Sequence, residues 1–380
     1  MTKEQYIGIM SGTSLDGVDV VLCEIDAQGC ELLHEIIYPM PIELKDEIIA
    51  MIDGETTLEQ VGATDHRLGL LFAEAVAALL EASQCDAGEI RAIGSHGQTL
   101  WHAPQGEYPF TMQLGDPSII TTRTGIPVVA DFRRKDVALG GQGAPFAPAF
   151  HEFIFGNIKE QLAVVNIGGM ANITLLGEKL IGYDTGPGNV LMDAWIGQHQ
   201  NTPYDKDGAW ARSGSVDYKL LDAMMADAYF SKPYPKSTGR EKFNLGWVES
   251  VQRLALSTQR EALQGNAYQD SYLLPPTSSL SPVDVQRTLL ELTALSISNE
   301  VLNSGSDVAI LCGGGAKNGF LVERIKSLMP GVEVGIAKHA DQIEAMCFAW
   351  LAYKRLHKEQ VNLKDVTGAS DNTLLGGIYE

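Results

Sequence analysis

Acidic side chains beside glycine-rich turns are the first candidates for catalytic residues in this sequence. Asp184 lies in Tyr-Asp-Thr-Gly-Pro-Gly-Asn (183–189), at the end of an expected strand and before an expected helix. A carboxylate there can act as a general base if burial or hydrogen bonding sets its pKa, and it can equally be a helix N-cap. Asp16, within residues 11–17, could accept backbone N–H groups or lie near a metal held by phosphates. A turn-stabilising Asp-Gly is the commoner meaning of that second pattern.

Three glycine-rich turns follow expected strands: residues 11–17, Gly168 with Gly169, and residues 313–315. Backbone N–H groups in such turns can converge on an anion, and glycine lets the chain approach a phosphate. Each turn alone is most often a simple tight turn, but three together favour a nucleotide site. Neither the P-loop nor the protein-kinase glycine motif is present, which excludes both classes.

Residues 313–319 imitate a dinucleotide-binding fingerprint because they follow an expected strand and precede an expected helix. The next strand ends at residues 337–339 without the acid that would bind a ribose hydroxyl. A Rossmann-type oxidoreductase therefore stays as a weak alternative.

Polar residues that could bind a sugar cluster after another strand. His96, Gln98 and Thr99 could hydrogen-bond hydroxyl groups, and residues 133–135 form the densest basic run, which could hold an anionic ligand or be a solvated loop. His96 and His102 lack a recognised metal-ligand spacing, and the five cysteines form no Cys-x-x-Cys pair, so a zinc site is not expected.

Length and composition limit the class of protein that positions these residues. A chain of 380 residues suggests two domains. Its 28 basic and 48 acidic residues give a net charge of −20, which argues against nucleic-acid or anionic-membrane partners. The odd cysteine count favours reduced thiols, no secretory signal is expected, and the most apolar stretch, residues 68–80, is too short to span a membrane. We therefore expect a soluble cytoplasmic protein.

Two similar meanders carry the first two glycine turns. Strands are predicted at residues 6–10, 18–26 and 31–38, and again at 162–167, 171–176 and 179–184, about 157 residues later. The pattern predicts a duplicated unit of the α/β class, with chance hairpins as the alternative. Thr57 and Gln60 form a capping box that opens a helix to Leu80, and Ser281 with Pro282 opens another. Loops are expected over residues 234–244 and 269–281.

With these residues in place, the sequence closely resembles the bacterial anhydro-N-acetylmuramic acid kinases. The resemblance rests on runs in family order, which are residues 8–19, 95–99, 113–116, 131–133, 140–145, 166–172, 184–189, 312–318 and 343–345. That family belongs to the superfamily of actin, hexokinase and the ATP-driven chaperones. It implies two similar α/β domains of ribonuclease H-like fold around a central cleft. Domain I would be residues 1–131 with 340–380, and domain II residues 132–339.

The resemblance also implies an activity. ATP, as its magnesium complex, would phosphorylate the 6-oxygen of 1,6-anhydro-N-acetylmuramic acid while water opens the internal bridge, giving N-acetylmuramic acid 6-phosphate and ADP. Asp184 matches the family's catalytic base, and the setting would be cytoplasmic recycling of peptidoglycan. Another sugar kinase of the superfamily, or a chaperone- or actin-like ATPase, remains an alternative. The oligomeric state is open, a homodimer included.

The family motifs assign further site residues. Those implied for ATP are Gly12, Thr13, Ser14, Leu15, Asp16, Gly17, Val18, Asp19, Gly168, Gly169, Asn172, Gly313, Gly314, Gly315 and Lys317. Those expected for the substrate are His96, Gln98, Thr99, Asp116, Arg133, Gln142, Asp184 and Glu344. Asp16 is also the metal-ligand candidate, with the ion held largely through ATP phosphates. Met10 and Ser11 stand where an early aspartate usually opens this hairpin, so a hexokinase-style metal role is not expected of that strand.

Overall fold

The computed structural model describes residues 3–12, 15, 17–158, 161–264 and 280–380, with the backbone alone for residues 256–264. The chain divides into two compact units. Unit 1 comprises Met1–Ile158, Glu178–Ile181 and Asp341–Glu380, and unit 2 comprises Lys159–Gly177 and Gly182–Ala340.

The described residues form strands and helices in alternation. The strands are β1 (Glu4–Ser11), β2 (Gly17–Ile25), β3 (Cys30–Pro39), β4 (Ile90–Ser95), β5 (Gln98–Ala103), β6 (Phe110–Leu114), β7 (Val128–Ala130), β8 (Leu162–Ile167), β9 (Met170–Leu176), β10 (Ile181–Pro187), β11 (Val308–Cys312), β12 (Glu333–Ile336) and β13 (Gly377–Tyr379). The helices are α1 (Ile42–Asp53), α2 (Leu58–Ser83), α3 (Pro117–Thr124), α4 (Phe132–Ala138), α5 (Ala147–Phe155), α6 (Val190–Gln200), α7 (Ala209–Ser213), α8 (Tyr218–Met225), α9 (Leu245–Gln264), α10 (Pro282–Ser304), α11 (Gly319–Leu328), α12 (Ile343–Leu356) and α13 (Lys364–Thr367).

The two main sheets share one strand order. In unit 1 the order is β13-β7-β4-β1-β2-β3, where β1 is antiparallel to β2 and parallel to β4. In unit 2 the order is β10-β9-β8-β11-β12, where β8 is antiparallel to β9 and parallel to β11. Thus β3-β2-β1-β4-β7 corresponds to β10-β9-β8-β11-β12. The α/β class and the repeated meander are confirmed.

The core of unit 1 lies between its sheet and the long helix α2. The capping box is present as predicted: the Thr57 side chain accepts the backbone N–H of Gln60, and the Gln60 side chain accepts that of Thr57. Buried Leu68 and Phe72 of α2 belong to the same apolar cluster as Ile9 of β1. Helical periodicity on one element and strand alternation on the other therefore bury matching faces.

Helix α12 belongs to unit 1 although it lies far along the chain, because two glycines let it approach the sheet. A Cβ on Gly8 would lie 2.0 Å from the carbonyl oxygen of Ala345, and one on Gly94 would lie 1.9 Å from that of Phe348. No other residue type would allow this packing without moving the helix.

The first boundary between the compact units differs from the expected domain boundary. Residues 132–158 lie in unit 1, whereas domain II was expected to begin at residue 132. The physical reason is aromatic packing: the ring centroids of Phe132 and Phe348 are 5.6 Å apart, as are those of Phe150 and Trp350.

Two further observations concern the connections and the helices. Residues 234–244 form no helix or strand, as predicted, whereas the loop expected over 269–281 lies almost entirely outside the described residues. Across the described ranges, no helix combines the length and apolarity that crossing a membrane requires.

Candidate functional site

Asp184 lies in β10 of unit 2, and a neighbouring loop holds one of its carboxylate oxygens. The Ser237 hydroxyl donates to Oδ2 at 2.9 Å, and the Thr238 backbone N–H donates to the same oxygen at 3.0 Å. Among the described residues, no group donates to Oδ1. The carboxylate is therefore oriented by one oxygen, while the other is available to a ligand.

The surroundings of Asp184 make it a stronger base than an exposed aspartate. Burial raises the pKa of this carboxyl, the two hydrogen bonds from Thr238 and Ser237 oppose that rise, and the nearby Glu241 charge adds to it. Burial is the largest of these effects, so the net pKa is above the ordinary value. The carboxylate therefore accepts a proton more readily than an exposed one.

A buried ion pair ties the Asp184-binding loop to helix α10. The Lys236 ammonium lies 2.7 Å from a Glu300 carboxylate oxygen, and the Tyr183 hydroxyl donates to the other oxygen at 2.9 Å. The Lys236 backbone carbonyl accepts the N–H of Asp184 at 3.1 Å. The same lysine therefore links the strand, the loop and the helix that surround Asp184.

The glycine segments of unit 2 converge on one another. Gly168 and Gly169 form the turn between β8 and β9, and their carbonyls accept the N–H groups of Asn189 and Gly188 at 2.8 and 2.9 Å. A Cβ on Gly313 would lie 2.9 Å from the Ile167 carbonyl oxygen. The structure thus brings the second hairpin, the start of α6 and the third glycine turn together.

The remaining residues expected to bind ATP in unit 2 lie around this convergence. A Cβ on Gly314 would have open space around it, whereas one on Gly315 would clash with the Ile167 side chain. Lys317 is the last residue of a short 3₁₀ turn. Asn172 stands in β9 opposite Asn166 of β8. Small residues and backbone amides dominate here, as an anion site of this kind requires.

In unit 1, Arg133 and His96 form the most constrained polar pair expected to bind substrate. Arg133 donates from Nε and Nη2 to Nε2 of His96 at 3.1 and 2.8 Å, and from Nη1 to the Gly143 carbonyl at 2.7 Å. Since guanidinium only donates, Nε2 must accept, and a neutral His96 carries its proton on Nδ1.

Burial disfavours charge on both members of this pair. It lowers the pKa of His96 well below its usual value, and the Arg133 charge lowers it further. Burial also lowers the pKa of Arg133 to about 10, with the Glu344 charge acting in the opposite direction. At neutral pH the pair is therefore a cationic arginine on a neutral histidine. Glu344 itself is exposed, in the first turn of α12.

The other residues expected to bind substrate in unit 1 are held by side-chain hydrogen bonds or lie on a loop. The Ser11 hydroxyl donates to Gln98 Oε1 at 2.6 Å, and the Gln113 amide donates to Thr99 Oγ1 at 3.3 Å. Exposed Gln142 donates its backbone N–H to the Thr367 carbonyl at 2.8 Å. These contacts place Gln98 beside the end of β1, where the first hairpin begins.

The structure gives structural roles to some residues that were expected to bind ligands. Asp116 is the N-cap of α3, since its carboxylate accepts the Ser118 N–H at 2.8 Å. The side chains of Leu15 and Val18 are buried in the core of unit 1, so only their backbone atoms could meet a ligand. Gly17 and Asp19 stand in β2, Gly12 follows β1, and the Gly12 carbonyl accepts the Leu15 N–H.

The central part of the first hairpin, Thr13, Ser14 and Asp16, lies outside the described residues. The ATP contacts expected of all three, and the metal role expected of Asp16, therefore stay predictions. Within the described ranges, no three His, Cys, Asp or Glu side chains are grouped as metal ligands would be. The described residues alone do not form a magnesium cage.

The basic run 133–135 splits between two surroundings because it lies in helix α4, where successive side chains point in different directions. Arg133 turns towards His96, whereas Arg134 and Lys135 line a concavity of about 710 Å³ together with Arg355. The run therefore lies in a helix and not in a loop, and its binding of an anionic ligand stays a prediction.

Sequence reasoning missed the loop residues that position Asp184. Ser237 and Thr238 are 53 and 54 residues away from it, in a segment with no motif. It also missed Arg240, whose guanidinium lies near Gly169, and Asp193 of α6, where burial raises the pKa to about 7. No sequence pattern marks Ser237, Thr238 and Arg240, because the path of their loop alone brings them near Asp184 and Gly169. The burial of Asp193 in α6 has no sequence signal either.

The chain is similar to known proteins over nearly its whole length. The family model described as anhydro-N-acetylmuramic acid kinase matches residues 4–380. A protein of that name from Sulfurovum sp. (strain NBC37-1) is 62% identical over 379 residues, and one from Sulfurimonas denitrificans is 48% identical over 382, both covering 100% of each chain. Among solved structures, the activator of 2-hydroxyisocaproyl-CoA dehydratase from Clostridium difficile has a TM-score of 0.44 at 10% identity, covering 93% of this chain and 96% of that one. A likeness of that degree carries no argument about activity.

Proposed function

The chain belongs to the anhydro-N-acetylmuramic acid kinase family, and we propose that it makes N-acetylmuramic acid 6-phosphate and ADP from 1,6-anhydro-N-acetylmuramic acid, ATP and water. Full-length relatives at 62% and 48% identity support the substrate and reaction. Within the chain, the observation that carries the proposal is Asp184, a basic carboxylate held through one oxygen.

The proposed reaction joins two bond changes. Water attacks the anomeric carbon of the anhydro-sugar, the bond from that carbon to the bridging 6-oxygen breaks, and the freed oxygen attacks the γ-phosphorus of ATP. The bond between that phosphorus and the β,γ-bridging oxygen then breaks, and ADP leaves. The water proton is taken by Asp184 and later passes to solvent.

Asp184 suits the task of removing that proton. Its Oδ2 is fixed by Ser237 and Thr238, so Oδ1 is the atom that can accept a proton from water. Its pKa, raised chiefly by burial, brings the base closer to neutral pH, where proton transfer is more effective. Orientation and basicity therefore come from the same pocket.

The nucleotide role is proposed for the glycine turns and their flanking residues. In unit 2 the second hairpin and the third glycine turn offer backbone amides and a close approach for phosphate and adenosine. We propose that ATP binds as its magnesium complex, with the ion held mainly by phosphate oxygens and Asp16 as the protein candidate. In phosphoryl transfer such positioning and charge neutralisation supply most of the catalysis.

Substrate recognition is proposed for the polar residues of unit 1. Arg133 brings a fixed positive charge to an acidic protein, and Gln98 and Thr99 bring amide and hydroxyl groups suited to a sugar. The implied setting is recycling of cell-wall fragments in the cytoplasm, with ATP and the anhydro-amino-sugar as small-molecule partners. The family assignment leaves no support for the oxidoreductase alternative.

A coupled assay of ADP release tests the function. The protein with magnesium and ATP is offered 1,6-anhydro-N-acetylmuramic acid, N-acetylglucosamine or glucose. We expect ADP release only with the anhydro-sugar, and N-acetylmuramic acid 6-phosphate as the product by mass spectrometry. Preference for either other sugar would move the chain to a neighbouring sugar-kinase activity, and fast sugar-independent release would favour an ATPase.

A further inference from the structure

The concavity of about 710 Å³ on unit 1 carries three cations that the site described above does not use. It lies between helix α4, the last turn of α12 and residues 373–377, which lead into β13. Its cations are Arg134, Lys135 and Arg355. Among the described residues, none that was expected to bind ATP or the substrate lines it.

Arg355 is held in place by the protein itself. It is half-buried, and its Nε donates to the Gly376 carbonyl at 2.8 Å. The turn that presents this carbonyl requires a glycine, because its φ is +84° and a Cβ would lie 2.6 Å from Cγ1 of Val129. In the part of the chain that the structure describes, no carboxylate pairs with Arg355. Its two Nη groups are therefore available to donate to an anion.

The two cations on α4 are also little neutralised by the protein. Lys135 is exposed and makes no ion pair within the described ranges. Arg134 places its Nε 3.5 Å from Oδ1 of Asp131, but its side chain is 64% exposed, so water screens that pair. Asp131 is the only acid among the described residues that line the concavity. Three cations and one carboxylate therefore leave a local excess of positive charge in a chain of net charge −20.

This charge and these donors favour a phosphate monoester over a carboxylate. A phosphate monoester carries a charge of about −1.5 to −2 at pH 7 and has three strong acceptor oxygens. Arginine binds such a group through two parallel N–H donors, and lysine binds it as a point charge. A phosphate dianion can offset the whole local excess of positive charge, whereas a single carboxylate offsets only part of it.

The size and the remaining lining favour a sugar that carries the phosphate. Pockets for whole small ligands commonly measure about 300 to 1,000 Å³, so a free phosphate would leave most of this concavity to water. The Gln360 amide, the Thr373 hydroxyl and the Asp131 carboxylate can hydrogen-bond the hydroxyl groups of a sugar. None of the described residues that line the concavity is aromatic, so a nucleotide base would have no ring on which to stack.

We propose that Arg134, Lys135 and Arg355 form a second anion site, which binds a small phosphorylated sugar. Arg355 orients the phosphate through its Nη groups, since its Nε is held by Gly376. Arg134 and Lys135 add positive charge from α4. Binding there requires no turnover, so this site can be tested apart from the kinase reaction.

Isothermal titration calorimetry of the whole chain tests the site with three probes, which are glucose 6-phosphate, inorganic phosphate and glucose. Each is titrated into wild type and into the double variant Arg134→Gln/Lys135→Gln. The matched control is Arg123→Gln/Lys219→Gln, which removes the same two charges from exposed positions in α3 and α8 that do not line the concavity. Thermal unfolding of each protein without ligand is measured in parallel.

We expect wild type and the control to bind glucose 6-phosphate with a Kd of about 1 mM or tighter. The Arg134/Lys135 variant should bind it about tenfold more weakly, because two charge-assisted contacts are lost. Inorganic phosphate should bind wild type about fivefold more weakly than glucose 6-phosphate, since it lacks the sugar hydroxyls, and glucose should not bind. Every variant should unfold within about 2 °C of wild type, because all four positions are exposed.

Failure of wild type to bind glucose 6-phosphate would overturn the site, as would equal affinity in wild type and the Arg134/Lys135 variant. An equal loss in the control would mean that net charge, and not this concavity, governs binding. Inorganic phosphate that binds as tightly as glucose 6-phosphate would overturn the choice of a sugar. If the double variant unfolds at a markedly lower temperature, Lys135→Gln alone decides, because Lys135 has no ion pair in the described chain to lose.

Discussion

Arg133 in unit 1 and Asp184 in unit 2 are both ionisable groups moved away from their ordinary pKa by burial, yet the protein holds them differently. Arg133 uses three of its nitrogen atoms to donate to His96 and to the Gly143 carbonyl. Asp184 has two donors on Oδ2 and none from the described residues on Oδ1. The difference separates positioning from reactivity: a group with its hydrogen bonds made is fixed in place, and a group with one oxygen free can exchange a proton.

Of the variants that test this comparison, replacement of the candidate base Asp184 should have the largest effect, a loss of kcat. Asp184→Asn keeps the shape, but its single amide oxygen accepts the Ser237 and Thr238 donors and leaves an NH2 group at the free position. That group cannot accept the proton, so kcat should fall about 10³-fold. Binding of ATP and of the sugar, measured by calorimetry, should stay within about threefold of wild type because the change is isosteric.

Asp193→Asn is the matched control for that variant. Burial raises the pKa of Asp193 to about 7, so a raised pKa is common to both residues. We expect the Asp193 variant to keep most of its turnover. Near-normal turnover in Asp184→Asn would remove the base assignment and with it the contrast between the two residues.

Breaking the buried ion pair beneath Asp184 should have the next largest effect, on stability. The Lys236 side chain is 2% exposed, and Lys236→Met leaves Glu300 without its cation. Loss of one partner of a buried pair costs about 3 kcal/mol, which urea unfolding would detect. The double variant Lys236→Met/Glu300→Leu should recover part of that loss.

Lys242→Met is the control for the ion-pair experiment. Lys242 also pairs with an acid, Asp227, at 2.6 Å, but its side chain is 35% exposed. Its loss should cost about 1 kcal/mol or less, since water screens the pair. Equal losses in the Lys236 and Lys242 variants would mean that burial of the first pair is not what stabilises the loop.

A smaller effect, on KM for the sugar, is expected when Arg133 is replaced. Arg133→Lys keeps the charge but loses the planar set of donors that reaches both His96 and Gly143. KM for the sugar should rise about tenfold with little change in kcat, and the pH profile should keep its acid limb. Arg123→Lys, at an exposed position in α3, should change neither value.

If Arg133→Lys changes the pH at which activity is lost on acidification, Arg133 influences the pKa of the base. The contrast between a positioning arginine and a reactive aspartate would then not hold. An unchanged KM would instead remove Arg133 from substrate binding.

The smallest effect should come from removing one of the two hydrogen bonds to Asp184 Oδ2. The Ser237 hydroxyl stabilises the ionised carboxylate, so Ser237→Ala should raise the Asp184 pKa further. The base works when ionised, and its activity is lost as pH falls through that pKa. The acid limb of kcat/KM should therefore move to higher pH, with roughly a threefold loss of activity below it.

Ser231→Ala provides the comparison for the pH experiment. Ser231 also lies between α8 and α9, but its hydroxyl donates to the Ala228 carbonyl and not to Asp184. Its pH profile should match that of wild type. A limb that moves to lower pH in Ser237→Ala would contradict the role given to the hydrogen bond.

Much of the fold could be predicted from local patterns. The capping box at Thr57 and Gln60 predicted the start of α2, and the repeated meander predicted two sheets of like order. These features depend on residues close together in the chain, where propensity and periodicity act. The placement of α12 could not be predicted in the same way, because it depends on Gly8 and Gly94 meeting a helix more than 200 residues away.

In the candidate site, too, features carried by neighbouring residues could be predicted and those that depend on side-chain direction could not. Asp184 and the glycine turns were visible because their motifs are contiguous in the sequence. Asp116 has the expected position but caps α3, and Val18 has the expected position but is buried, because a motif does not state which way a side chain points.

The duplicated α/β pattern, the family and the candidate base Asp184 could all be predicted from the amino-acid sequence. Folding sets which oxygen of Asp184 accepts hydrogen bonds, and it places Arg133 against His96 while Arg134 stays exposed. Hydrophobic periodicity and turn formation depend on residues close together in the chain. Burial, pKa and hydrogen-bond partners depend on chain segments that meet only after folding.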